Sequence, residues 1–310
     1  MSDTAQALGL WGVPVAMLGG MIRASTPYLF VSLGETLTEK SGRVNLGLEG
    51  TLLMGAVSAY GAAYSTGSAW LGVLAAAGCG VVLGALHALL CARPRVNHIA
   101  VGIALMLFGT GLSFYLGKPL IQPQAPQLPA LALGDFSDIP AVRDALRVNP
   151  LFILGVVLAP LLAWLLKSTR VGLVLRLVGE NVDAARALGY PDNRIRLYAT
   201  MAGGMLSGIG GSFLSLVYPG VWSEGLSSGQ GLIAVALVIF ARWTPMACLY
   251  ASLLYGAAGS MGGALQSAGV SVSHHLLSGA PAALTLLIML FTCSPDRAAQ
   301  GQPRELSVGS

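Results

Sequence analysis

Charge is scarce in this sequence. Its 310 residues include 17 Lys and Arg and 13 Asp and Glu, 10% of the chain, where a soluble domain carries about 25%. So few charged side chains cannot cover a soluble globule of this size, which excludes a soluble enzyme and a disordered protein. Cysteine is scarce too. Cys79, Cys91, Cys248 and Cys293 lie in or beside apolar segments without CxxC or Cys/His spacing. They read as small core residues, not as a disulfide scaffold or metal ligands. The short alternating strands of an outer-membrane barrel are missing. There is no GxxxxGKS/T, HExxH or GxSxG, and no paired carboxylates on an aqueous domain, so the chain is not expected to bind and split ATP. No span centre carries a run of charges, which disfavours a proton relay or voltage sensor. The N-terminus has no basic start before an apolar run, so a cleaved signal peptide is not expected.

Long apolar runs take the place of charge. The chain is 55% hydrophobic with mean hydropathy +0.72, and runs of about twenty apolar residues recur, sized for a bilayer core of about 30 Å. The expected fold class is all-α: a polytopic helical membrane protein, one transmembrane domain over residues 1–310, with about 8–293 embedded. The first apolar stretch, about Leu8–Leu37, is interrupted by Gly19, Gly20, Arg23 and Pro27. It reads as a short or interfacial helix followed by a span, or as one broken helix. Further spans are predicted at about Leu48–Tyr64, Trp70–Cys91, Ile99–Leu116, Leu151–Leu166, Leu197–Val217, Gly231–Ala241, Met246–Ala264 and Leu276–Cys293. That makes about eight or nine spans by bilayer length.

Basic residues orient them. Lys167, Arg170, Arg176, Arg186, Arg194 and Arg196 mark 167–196 as cytoplasmic. Counting spans outward places Lys40, Arg43, Arg93, Arg95, Arg242, Arg297 and Arg304 inside as well, with the polar tail 294–310. Only Lys118, Arg143 and Arg147, beside Asp135, Asp138 and Asp144, fall outside, in the proline-rich loop 117–149. The net charge of +4 reflects this bias and implies no nucleic-acid partner.

The interior segment 178–191 carries the most information. Asn181 is a helix N-cap candidate, acids sit nearby, and Gly189 with Pro191 stop the helix. Ala184, Ala185 and Ala187 give a small-faced helix of about two turns, too short to be stable alone in water. It reads either as a docking element for a groove on a soluble partner or as an interfacial helix on lipid headgroups. Gly203, Gly204, Gly208, Gly210 and Gly211, with Ser207 and Ser212, allow close helix packing or a helix that slides. Glu35, Glu39 and Glu49 read as a solvated loop or as a salt-bridged hinge with Lys40 and Arg43. Asn97 and His98 start a span, as a cap or as hydrogen-bonding groups for a solute. Tyr218, Trp222 and Glu224 read as interface aromatics or a docking surface. His274 and His275 are not expected to bind metal, since adjacent helical positions do not share a face.

The residues Glu35-Thr-Leu-Thr-Glu-Lys-Ser-Gly-Arg-Val-Asn-Leu-Gly-Leu-Glu-Gly50 resemble the signature near the start of bacterial ABC-importer permeases of the sugar, nucleoside and branched-chain amino acid group. Gly179-Glu180-Asn181 through Gly189 resembles that group's coupling segment. Asn97-His98-Ile99, Phe108-Gly-Thr-Gly-Leu-Ser113, and Ala234-Val-Ala-Leu-Val-Ile-Phe240 before Arg242-Trp243 are similar to the nucleoside branch, with His98 where a Gln often stands. The resemblance implies a permease subunit of the inner membrane, with a paralogous permease as partner, a cytoplasmic ATPase that binds the ATP and Mg, and an extracytoplasmic substrate-binding lipoprotein. It implies no cofactor in this chain and a small molecule, most simply a nucleoside, as cargo. On it, Glu180, Asn181, Asp183, Ala184, Ala185, Leu188 and Gly189 would couple to the ATPase. Asn97, Phe108 and Gln230, polar or aromatic residues within spans, are the candidates to line the pathway. A pentose or other simple sugar, an amino acid, and a stand-alone secondary transporter are the alternative readings.

Overall fold

The computed structural model describes residues 12–93, 95–134, 140–267, 283 and 301–308. The predicted span Leu276–Cys293 (residue 283 apart), His274, His275, Arg297, Asp135 and Asp138 lie outside the described residues. In chain order the helices are α1 Gly12–Lys40, α2 Leu48–Thr66, α3 Ala69–Cys91, α4 His98–Gly117, α5 Pro140–Ala145 and α6 Pro150–Ser168. They continue with α7 Arg170–Glu180, α8 Val182–Ala187, α9 Asp192–Leu216, α10 Gln230–Phe240, α11 Pro245–Ser267 and α12 Arg304–Val308. A two-stranded antiparallel pair, β1 Leu131–Ala132 with β2 Arg147–Val148, sets Leu131 opposite Val148.

Each predicted span within the described residues has its helix. The first differs from expectation: α1 is one uninterrupted helix with Pro27 inside it. Proline removes a backbone donor and strains a helix interior. Here, however, α1 is buried from Ser25 to Glu39 by packing against α9 and α11, and tertiary packing outweighs local propensity.

The glycine-rich α9 is the centre of the bundle, against α1, α2 and α3. A Cβ added to Gly211 would lie 2.0 Å from the Leu52 carbonyl oxygen, and one on Gly204 2.2 Å from that of Gly80. Backbone therefore meets backbone, the mode of packing that small residues permit between helices in lipid. Leu29, Phe30, Leu33, Leu53, Phe213 and Leu216 fill the remaining interior.

Among the described residues, three helical stretches are long and apolar enough to cross a membrane: Ala69–Cys91, His98–Leu120 and Pro150–Ser168. They expose large apolar side chains such as Leu74, Leu107 and Val157. The interior helices α1, α2 and α9 carry more Gly, Ser and Thr because they face protein, not lipid. α10 is different again. Its 11 residues span about 16 Å, half of a bilayer core.

Candidate functional site

Two helices begin deep inside the bundle, at the same place. The first turn of α2 is gripped from two sides. A Cβ on Gly50 would lie 2.8 Å from the Leu105 and Met106 carbonyl oxygens, and one on Gly109 2.9 Å from Gly50 backbone atoms. Leu105 to Gly109 is the middle of α4, about 10–16 Å beyond its start. On the other side, a Cβ on Gly231 would lie 2.6 Å from the Glu49 Cα. So α2 and α10 both start at mid-bundle and run apart. α10 heads toward the end of α1, where the Trp243 indole N–H donates to Glu39. α2 runs to the other end, where the Tyr60 hydroxyl donates to the Pro123 carbonyl at 2.8 Å.

One carboxylate joins the two starts. Glu49 accepts from the Ser227 hydroxyl at 2.5 Å, the Gly229 amide at 3.0 Å and the Gly231 amide at 2.6 Å. The first amides of a helix lack intrahelical partners and carry partial positive charge, so an anion suits them. Beside this cap the Gln230 side-chain oxygen is buried and meets no donor among the described residues.

Among the described residues, the other acids and bases of residues 35–49 form neither a solvated loop nor a set of salt bridges with Lys40 and Arg43. Glu35, Glu39, Arg43 and Asn45 are buried, and their partners are mostly backbone. Glu35 accepts from the Asn45 amide at 2.7 Å. Arg43 donates to the Ala88 carbonyl at 2.8 Å and to the Asn193 side chain at 3.3 Å. Lys40 reaches the Gly301 carbonyl at 2.8 Å. Buried polar groups need such partners, because unsatisfied ones cost their full desolvation. The joint thus ties the ends of α1, α3 and α9 together.

The predicted pathway residues do not form one cluster. Gln230 and Phe108 adjoin Gly231 and Gly109, the glycines that grip the first turn of α2, although the Phe108 ring is 54% exposed. Asn97 lies about 16 Å earlier along α4. Its side chain accepts from the Ile99 and Ala100 amides at 2.8 and 3.2 Å, so its polar oxygen is engaged as a helix cap. Trp222 is neither an interface aromatic nor a docking residue. It is 1% exposed, packed under Gly117, while Tyr218 and Glu224 are exposed. Sequence reasoning missed the Glu49 to Gly231 junction. The only local sign was the run Ser227-Ser-Gly-Gln-Gly231 before an apolar stretch, a helix start with no indication of its distant partner.

On the segment predicted to be cytoplasmic, α8 is held by its cap. The Asn181 side chain accepts from the Ala184 amide at 2.9 Å, and Gly189 has φ +81°, a conformation glycine tolerates. Glu180 ends α7 and is exposed. The small-faced reading of α8 needs one correction. Ala185 is 0% exposed and turned into the protein, with Val182, so it presents nothing to a partner. The exposed residues are Asn181, Asp183, Arg186, Ala187, Leu188, Gly189 and Tyr190, with Ala184 half-buried. Arg186 donates to Asp192 through two bonds of 3.1 and 3.0 Å. This bond holds the Asp192 carboxyl below its usual range and the Arg186 guanidinium above its own.

The family described as branched-chain amino acid transport system / permease component matches residues 12–292. A putative glucose ABC transporter permease protein of Haloferax volcanii is 34% identical over 77% of this chain and 74% of its own length. A nucleoside ABC transporter permease protein of Lactococcus lactis is 31% identical, covering 77% and 80%. A guanosine ABC transporter permease protein of Bacillus subtilis is 28% identical, covering 86% and 88%.

Proposed function

Since the chain belongs to the family of branched-chain amino acid transport system permease components, and is thereby a multi-pass inner-membrane subunit of an ABC transporter, we propose that it carries nucleosides inward. In this reading it has about eight or nine spans and forms half of the translocation pathway with a paralogous permease. A cytoplasmic ATPase supplies the ATP hydrolysis, and an extracytoplasmic lipoprotein delivers the cargo.

The observation that carries the cargo reading is the junction of the α2 and α10 starts. Helix N-termini at mid-membrane are where transporters meet anionic groups of their substrates. Here Glu49 already occupies that anion seat at α10. An amino-acid carboxylate would meet a carboxylate, which disfavours the amino-acid alternative. The group left over is a neutral amide oxygen on Gln230, suited to a neutral solute bearing hydroxyl or N–H donors. A simple sugar is the second reading, favoured by the likeness to the putative glucose permease.

For coupling, Asp183, Leu188 and Gly189 are the exposed residues that would meet the ATPase. Asn181 and Glu180 would support the helix start, and Ala184 and Ala185 would back it from within. The test of cargo is a binding assay of the cognate lipoprotein against nucleosides, bases and sugars, with uptake by Gln230→Ala measured alongside. Nucleoside binding with reduced uptake in that variant is the expected result. Binding of sugars alone would replace the nucleoside reading with the second.

A further inference from the structure

The last described residues, 301–308, lie against the cytoplasmic segment and make contacts of a particular kind. Glu305 on α12 is the hub. One carboxylate oxygen accepts from the Val182 amide, the first residue of α8, at 3.4 Å. The other pairs with Arg196 at 3.4 Å. Arg196, with a side chain only 10% exposed, also donates to the Ser41 carbonyl just past α1 at 3.0 Å. Lys40 anchors the tail at a second point through the Gly301 carbonyl, 2.8 Å. Pro303 is buried and Leu306 packs onto the main core. A Cβ added to Gly42 would come within 2.9 Å of the Glu305 Cβ, so the tail is seated against the α1–α2 connection and not loosely draped over it.

Charge explains why Glu305 matters there. Arg196 and the buried Arg43 are neighbouring cations, and the nearby Asp192 is already committed to Arg186. Glu305 is the carboxylate that pairs with Arg196. Removing one partner of a largely buried pair leaves an uncompensated charge. Directly, or through Arg196, this side chain therefore links three parts that must move together if α8 is driven from outside: the start of α8, the residues 41–42 just past α1 and the first turns of α9.

We propose that residues 301–308 form a clasp, with Glu305 as a positioning residue, that passes displacement of α8 into α1 and α9. The inference rests on the reading of α8 as the ATPase-coupling element. When the clasp is intact, a push on α8 moves the interior helices around the α2–α10 junction. When it is open, α8 moves alone and hydrolysis continues without matching transport.

The test uses the assembled transporter, with its ATPase and partner permease, in proteoliposomes supplied with the binding lipoprotein and its cargo. Glu305→Gln keeps an acceptor for Val182 but loses the charge facing Arg196. Truncation after Gln300 removes the clasp whole. In both, the ATPase is expected to co-purify at the wild-type level and to hydrolyse ATP. Cargo moved per ATP should fall severalfold, more in the truncation. Amide exchange at Val182 should rise about tenfold in the truncation, as expected for loss of a hydrogen bond to a charged group. A wild-type ratio of transport to hydrolysis in Glu305→Gln overturns the clasp, whether or not exchange changes, and that variant decides the matter if the truncation fails to assemble. Leu188→Asp separates the two inferences. Undiminished ATPase binding in Leu188→Asp counts against the docking role of α8, whereas the Glu305→Gln ratio reports on the clasp alone.

Discussion

The α2–α10 junction and the α8 segment are both short helix starts, yet they solve opposite problems. At the junction a carboxylate is buried and three donors converge on it from residues 227–231. At α8 the cap is a neutral Asn181, and the charged residues Asp183 and Arg186 stand mostly in solvent. Burial makes the first rigid, because every group there depends on the others. Exposure leaves the second free to meet something else. In the transport function proposed above the two have complementary parts: a fixed joint around which the pathway would open, and a surface on which force would be received. The difference also predicts where substitutions act, on folding at the junction and on assembly at α8.

The largest effect is expected at Glu49. Glu49→Ala strands the Ser227 hydroxyl and two amides in the interior, each at about 1–3 kcal/mol. The permease should lose several kcal/mol or fail to accumulate, read by thermal melting in detergent. Glu49→Gln should be milder but still harmful, because its amide NH2 would face a donor where a carboxylate oxygen now accepts. A wild-type melting temperature for Glu49→Ala would erase the contrast between the two regions.

Ala185→Trp comes next. The buried site has no room for an indole, and overpacking costs about 1–3 kcal/mol. This variant should show lower thermal stability before any change in docking is seen. Leu188→Asp should do the reverse. Leu188 is 67% exposed, so stability should stay within about 0.5 kcal/mol. Co-purification of the ATPase should drop about fivefold or more if Leu188 is central to the contact. Equal stability losses in the two variants would mean that α8 has no inner and outer face.

The smallest effect concerns Asp192. Its carboxyl is lowered first by the hydrogen bond from Arg186. A depressed carboxyl stabilises the fold above its ordinary range, and this stabilisation is lost as pH falls through the lowered value. Since Arg186 is largely exposed, the contribution should be small and weaken with salt. Melting of wild type and Asp192→Asn should therefore differ slightly near neutral pH and converge in acid. A difference that grows in acid would contradict the assignment.

Much of the fold was legible because lipid imposes a simple demand. A helix in a bilayer must be long, apolar and internally hydrogen-bonded, so the starts and ends of α2, α3, α4 and α6 fall within a few residues of the apolar runs. The Asn97 and Asn181 caps were equally legible, since a cap is a local bargain between a side chain and the next amides. Burial was not. Glu35, Glu39 and Glu49 read as a solvated loop or as a salt-bridged hinge with Lys40 and Arg43, and Ala185 as an outer face, because sequence spacing cannot say which neighbours will arrive. The same holds for α1. Its Gly19, Gly20 and Pro27 suggest a break, yet long-range packing against α9 and α11 keeps it whole.

The sequence by itself determined that this is a helical membrane protein, roughly where its helices lie, and which family its motifs resemble. Those properties follow from composition and from contacts between residues near in sequence. Only the tertiary structure decided that Glu49 closes the start of a helix some 180 residues away, that α2 and α10 begin together inside the bundle, and that Glu305 reaches back to Val182 and Arg196. Each of these is a polar contact between distant segments, and it exists because burial leaves a donor or a charge with no water to satisfy it.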